Sequence, residues 1–287
     1  MSLPKVFNSV LCYSIQMLMR IVRVAAVLSI IVVVLGIVGI NLVLSVKEDA
    51  SAMREENLGI FLVNPESGKV ELAAAVLQPS GETVLLRSSQ MVGSVSLGEV
   101  FGGSEKEGAY SLVGVELEGY TFTESGVAVR KVRVDRVVVV EDAVLQEVFK
   151  PAGVVRIQQS FGSMSASTSL DSAGLVQVLR GDMEGVTWEV VLSTPLMKLT
   201  REVSTQELLS LAESAGVEVD EELVKAYVLA EFGRQASPVI QERRDETLAT
   251  LLSAYRQGRI RIYPENTLTR ALKYLPEGLL MKMVGGA

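Results

Sequence analysis

Hydrophobic and polar positions divide the chain into two unlike regions. Residues 24–46 run without a charge, VAAVLSIIVVVLGIVGINLVLSV, and only Asn41 and two serines are clearly polar. At about 1.5 Å of rise per residue, such a run spans a hydrocarbon layer of about 30 Å, so the pattern predicts one transmembrane helix. Beyond residue 57 the runs are shorter and period-two or helical spacing takes over. LGIFLV and KVELAAAVL flank a turn at Pro65-Glu66-Ser67-Gly68, which predicts a hairpin. TVLLRSS reads as a third strand, and 93–110 as a Gly- and Ser-rich stretch with VSLGEVF a short helix or strand. AYSLVGVELEGYTF and VAVRKVRVDRVVVVE read as strands, the latter with one basic face and a buried VVVV core. DAVLQEVF has helical spacing and stops at Pro151.

Residues 160–172, SFGSMSASTSLDS, have little bulk and read as a loop and the best internal boundary. LVQVLRG then reads as helix or strand and VTWEVVLST as a strand, with Trp188 in the core. Ser204 with Glu207 forms a capping box and opens a helix. Further helices are expected at 220–232, 245–257 and 267–275. The expected fold class is therefore α/β of the α+β kind: one N-terminal transmembrane helix, then a mixed-sheet domain with helices packed on it. The expected organisation is a cytoplasmic arm at 1–23, the transmembrane helix at 24–46, a polar linker at 47–57 and one domain at 58–287.

Charge gives the expected orientation. Arg20 and Arg23 precede the apolar run, and Lys47, Glu48 and Asp49 follow it. The basic excess on the N-terminal side predicts a cytoplasmic N-terminus and an extracytoplasmic domain, single-pass in a cell membrane. A cleaved leader, cut after Ala52 at Ala50-Ser51-Ala52, is the competing reading, and Met17 or Met19 are alternative starts. The net charge of −7 argues against nucleic acid as a partner. With no histidine, and Cys12 as the only cysteine, the chain lacks the commonest general base, a thiolate metal site and a disulfide framework. Any catalysis would use carboxylates, arginines or a bound cation.

Two basic clusters remain. Arg130, Lys131, Arg133 and Arg136 lie on or near one strand. Arg234, Arg243, Arg244, Arg256, Arg259 and Arg261 lie around the penultimate helix. Each reads either as a solvated or salt-bridged surface or as an arginine site for phosphate. The acidic run Glu218, Asp220, Glu221, Glu222 reads as dipole complementation at a helix start.

Residues 54–156 resemble the extracytoplasmic domain of the LytR-CpsA-Psr family, membrane-anchored enzymes that transfer glycopolymers from polyprenyl pyrophosphate carriers. The resemblance runs through Glu56, LGIFLV, Asn64-Pro65-Glu66-Ser67-Gly68-Lys69, VELAAAV, then SVSLGEVFGG, then VDRVVVVEDAVLQEVFKPAGVV with Gly153-Val154. This last stretch also resembles an uncharacterised extracytoplasmic domain of archaea and bacteria. EFGRQ and QERRDETLATLL stand where the family has an Arg-rich lead into a helix, and Arg180 corresponds faintly. The family's Pro-Arg-Asp falls on Val76, Leu77 and Gln78, and its later Lys and Asn on Ser94 and Ser96. The resemblance thus implies a non-catalytic or diverged binder of a prenyl-linked phosphate or glycan, or of a partner envelope protein. Arg133, Arg180, Arg243 and Arg244 are its candidate ligand residues. No cofactor is implied. An active transferase, with Glu56 and Glu82 around magnesium, and a purely structural envelope module are the alternatives. The sequence leaves open whether the protein is an enzyme.

Overall fold

The computed structural model describes residues 55–77, 80, 82–123, 126–161, 164–193, 198–214 and 221–274. Its centre is a parallel strand pair. β1 (Leu58–Val63) runs beside β8 (Arg136–Glu141), Leu58 opposite Arg136 and Val63 opposite Glu141. Both strands are almost continuously apolar because both faces of this part of the sheet are covered. The full sheet has seven strands in the order β13-β8-β1-β2-β3-β6-β7, and every other pairing in it is antiparallel. β2 is Val70–Leu77, β3 Glu82–Leu86, β6 Glu116–Thr123, β7 Gly126–Arg133 and β13 Ile260–Tyr263.

The expected hairpin is present. Asn64 closes its turn, its side chain accepting from the Glu66 N–H at 2.9 Å, and Gly68 takes a φ of 65° where a Cβ would meet the Phe101 carbonyl. The register then slips. Leu62 pairs with Leu72 but Val63 pairs with Val70, so Glu71 is the extra residue of a β-bulge.

One face of the large sheet packs on α2 (Asp142–Phe149), α3 (Ser172–Arg180), α5 (Glu221–Glu242) and α6 (Arg244–Arg256), in one core with the inner face of a second sheet. That second sheet is an antiparallel meander, β12-β11-β10-β9. It comprises β9 (Val155–Phe161), β10 (Met164–Leu170), β11 (Thr187–Ser193) and β12 (Lys198–Ser204). Trp188 on β11 is fully buried, as expected, and its indole N–H donates to the Thr205 hydroxyl at 3.0 Å. The other face of the large sheet packs on α1 (Glu105–Leu112), with Phe101 edge-on to Phe61. A small hairpin, β4 (Met91–Val92) and β5 (Val95–Ser96), leads into the 3-10 turn 97–99. α4 (Thr205–Ser214) starts at the expected capping box, Ser204 and Glu207 each accepting from the other's N–H. α7 (Thr267–Tyr274) ends the described chain.

Several expectations need correction. Among the described residues no helix is long and apolar enough to cross a membrane. Residues 24–46, on which that helix was expected, lie outside the described residues, as do the arm, Cys12 and most of the linker. For the described residues the fold class is corrected accordingly to a mixed α/β domain of the α+β kind, with no membrane-crossing helix among them. AYSL belongs to α1 and not to a strand, because Ser104 caps it by accepting from the Glu107 N–H. Residues 160–172 are mostly not a loop. They form the ends of the β9–β10 hairpin and all of β10, whose inward Ala166, Thr168 and Leu170 pack beneath α3 and whose Ser169 faces water. α5 continues ten residues' worth of chain past its expected end, from Phe232 to Glu242, passing through Pro238. Only Arg243 separates it from α6.

Candidate functional site

Apart from Arg136 at the start of β8, which Glu56 neutralises, the buried charged side chains lie at the carboxyl end of the parallel pair, where open α/β sheets commonly hold their ligands. β8 ends at Glu141 and α2 begins at Asp142, so the first helical residue sits directly above the strand. The Asp142 side chain is fully buried. Two strands away, the bulge turns the Glu71 side chain inward, leaving it only 5% exposed. Arg180, last residue of α3, reaches over both: its Nε donates to Asp142 Oδ2 at 2.7 Å and stands 3.5 Å from Glu71 Oε1. Gly181 ends α3 with a left-handed φ of 80°, and a Cβ there would press on Glu221 and Lys225. Lys225 of α5 pairs with Glu221 at 2.8 Å.

Three buried oxygens in this cluster lack a hydrogen bond: both of Glu71 and Oδ1 of Asp142. Burial, then the neighbouring Asp142, pushes the Glu71 carboxyl up to about 8, against the opposing pull of Arg180 and Lys225. Asp142 raises the Arg180 guanidinium further above its ordinary value through their hydrogen bond. Near neutral pH the cluster therefore holds a neutral Glu71 beside a cationic Arg180.

Glu71 also forms one wall of a narrow cleft, with an interior of about 30 Å³, between the large sheet and the first turns of α5. Leu72, Leu85 and Leu223 make it apolar, while Ser88, Tyr120, Glu222 and Lys225 supply polar groups. Glu222 accepts from the Ser88 hydroxyl and, at 3.0 Å, from its backbone N–H. Arg87 stacks on the Tyr120 ring, 5.6 Å from its centroid.

The candidate residues from the sequence do not assemble here, apart from Arg180. Arg133 is on the solvent-facing side of β7 and pairs with Asp135 at 3.2 Å. Arg243 and Arg244 are exposed at the α5–α6 junction, with Arg243 3.4 Å from Glu246. Glu56 and Glu82 lie toward the opposite end of β1 and β3. Glu56 accepts from Arg136 Nε at 2.6 Å, and Glu82 accepts from Arg130. Arg259 and Arg261 are held by Glu141, Glu147 and Glu105. Most of the basic clusters thus read as salt-bridged surface. Among the described residues no group of acidic side chains is arranged to hold a metal ion.

The Glu56–Arg136 pair yields a structural prediction. Arg136 is nearly buried and also donates to the Pro264 carbonyl, so Glu56→Gln should cost about 1.5–3 kcal/mol, the range of a hydrogen bond to a charged group. Urea unfolding measures it; an unchanged midpoint would leave Glu56 without a structural role.

Sequence reasoning missed Glu71, Asp142, Ser88, Tyr120 and Lys225, and gave Glu222 only a dipole role. One signal was available: Glu71 is the only charge in VELAAAVL. No known protein family, curated protein or solved structure matches the chain.

Proposed function

We propose that this domain is a binding module for a hydroxyl-rich ligand, the glycan portion of a prenyl-linked carrier being the class that the sequence resemblance implies. The observation that carries this reading is the cleft beside Glu71. It joins an apolar strip to carboxyl, hydroxyl and ammonium groups, the mix of surfaces that a hydroxyl-rich ligand engages. Leu85 and Tyr120, paired across β3 and β6, offer an apolar surface for a sugar ring. Ser88 and Glu222 offer donors and acceptors for its hydroxyls. A phosphate clamp built from Arg133, Arg243 and Arg244 has less support, since all three are exposed and Arg133 and Arg243 are already paired with Asp135 and Glu246. The transferase reading has less still, because Glu56 and Glu82 are each neutralised by an arginine.

The test is a calorimetric titration with a short-chain polyprenyl-pyrophosphate disaccharide, the free disaccharide and inorganic pyrophosphate. The expected result is saturable binding of both sugars, weakened about tenfold, or about 1.4 kcal/mol, by Tyr120→Ala. The joint substitution of Arg243 and Arg244 by Ala should leave it unchanged. Binding of pyrophosphate alone, abolished by that joint substitution, would move the site to the arginines. No binding of any probe would remove the reading.

A further inference from the structure

Glu71 and Asp142 bring two carboxyl groups together with almost no access to water, and three of their four oxygens have no hydrogen-bond donor. Leaving buried acceptors unsatisfied is costly, and two buried carboxylates side by side repel. A single proton held between them removes the repulsion and engages one oxygen of each carboxyl, leaving one Glu71 oxygen unpaired. We propose that Glu71 and Asp142 share one proton, and that this proton is a pH-sensitive lock fastening β2, α2, α3 and the first turns of α5 together beside the cleft.

Each element packed on the pair contributes a charge to the balance. α2 supplies Asp142, and α3 supplies Arg180, already bound to Asp142 Oδ2. α5 supplies Lys225, held by Glu221, and Glu222, held by Ser88 across the cleft. The turn before β2 supplies Glu66, which acts on the site through Arg180. With the proton in place, Asp142 and Arg180 cancel, and Lys225 remains with Glu221. When the proton leaves, two adjacent carboxylates face one guanidinium, and the new charge competes for Lys225. That competition pulls on the first turn of α5, which is also the wall of the cleft. The lock is independent of what the cleft binds, so it stands or falls separately from the ligand reading.

The sign follows from where the proton is held more tightly. Glu71 binds its proton up to about pH 8 in the folded chain, against 4.5 for an ordinary glutamate. The folded state therefore holds one proton more than the unfolded state between those values, and stability falls as pH rises through that window. The unfolding constant should rise up to about tenfold per pH unit there and become insensitive to this group above it.

The experiment compares the full chain with Glu71→Gln, whose amide presents a permanent donor to Asp142 in place of the shared proton. Thermal midpoints, amide exchange at 221–226 and the infrared band of protonated carboxylic acid are followed from pH 5 to 9. For the wild type, the midpoint should fall and exchange should quicken toward pH 8 as the acid band fades. Glu71→Gln should show a flatter profile, lack that band at pH 7, and exceed the wild type in stability at pH 8. Parallel pH profiles in the two proteins would overturn the proposal. So would absence of the acid band from the wild type at pH 7, a result that does not require the variant to fold.

Discussion

Arg180→Ala should destabilise the folded chain by about 2–4 kcal/mol, the lower part of that range reflecting a guanidinium that is itself 44% exposed. The cost comes less from the lost attraction than from what is left behind. Asp142 is fully buried at the start of α2, and Arg180 is the cation that satisfies its Oδ2. Removing that cation leaves Asp142 Oδ2 buried without its donor and out of reach of water. Asp142→Asn in the same background should therefore recover part of the loss, because an amide in the same place carries no charge. Denaturant unfolding of the four proteins of this cycle gives the coupling between the two positions directly. If the double substitution is as unstable as the sum of the single ones, the buried charge is not the source of the cost.

Trp188→Ala should cost about 3–5 kcal/mol, the usual range for deleting a buried large aromatic. Trp188 is 2% exposed and belongs to the core that joins the second sheet to α2, α3, α5 and α6. Its N–H also engages Thr205 at the start of α4, so truncation leaves that hydroxyl without its donor. Trp188→Phe keeps most of the ring volume and should lose about 1–2 kcal/mol, the part owed to the hydrogen bond and the smaller ring. Equal losses for Ala and Phe in urea unfolding would mean that the polar contact, not packing, dominates.

Sequence pattern reached some of this architecture and missed the rest for identifiable reasons. β1, β2, the VVVV strand and the Ser204–Glu207 box follow local rules, and those rules operate within a few residues. The second sheet was harder because β10 carries small residues where α3 lies close, so it lacks the bulk that marks a strand. β13 is only four residues long and gains its stability from β8, far away in the chain. Arg180 was singled out as a phosphate ligand, yet its partner Asp142 stood within DAVLQEVF, a segment marked only by helical spacing. Glu71 became a site residue through a one-residue slip in strand register, which no window of sequence displays. The arginines that looked clustered in sequence are separated because helix and strand periodicity turns them toward different carboxylates.

β13 is also the last strand of the large sheet to be synthesised, although it covers β8, which is buried from Arg136 to Val140. While the nascent chain extends from residue 142 to residue 259, Val137–Val140 has β1 on one side and an unpaired backbone on the other. That margin is four consecutive valines, without a proline or lysine to deter a stray strand. During manufacture the protein thus carries a sticky seam that closes only when Ile260–Tyr263 arrives and Arg136 reaches the Pro264 carbonyl. A chain ended by premature termination before that point keeps the seam permanently, and quality control would meet it as an open template for aggregation and not as a slightly shortened domain.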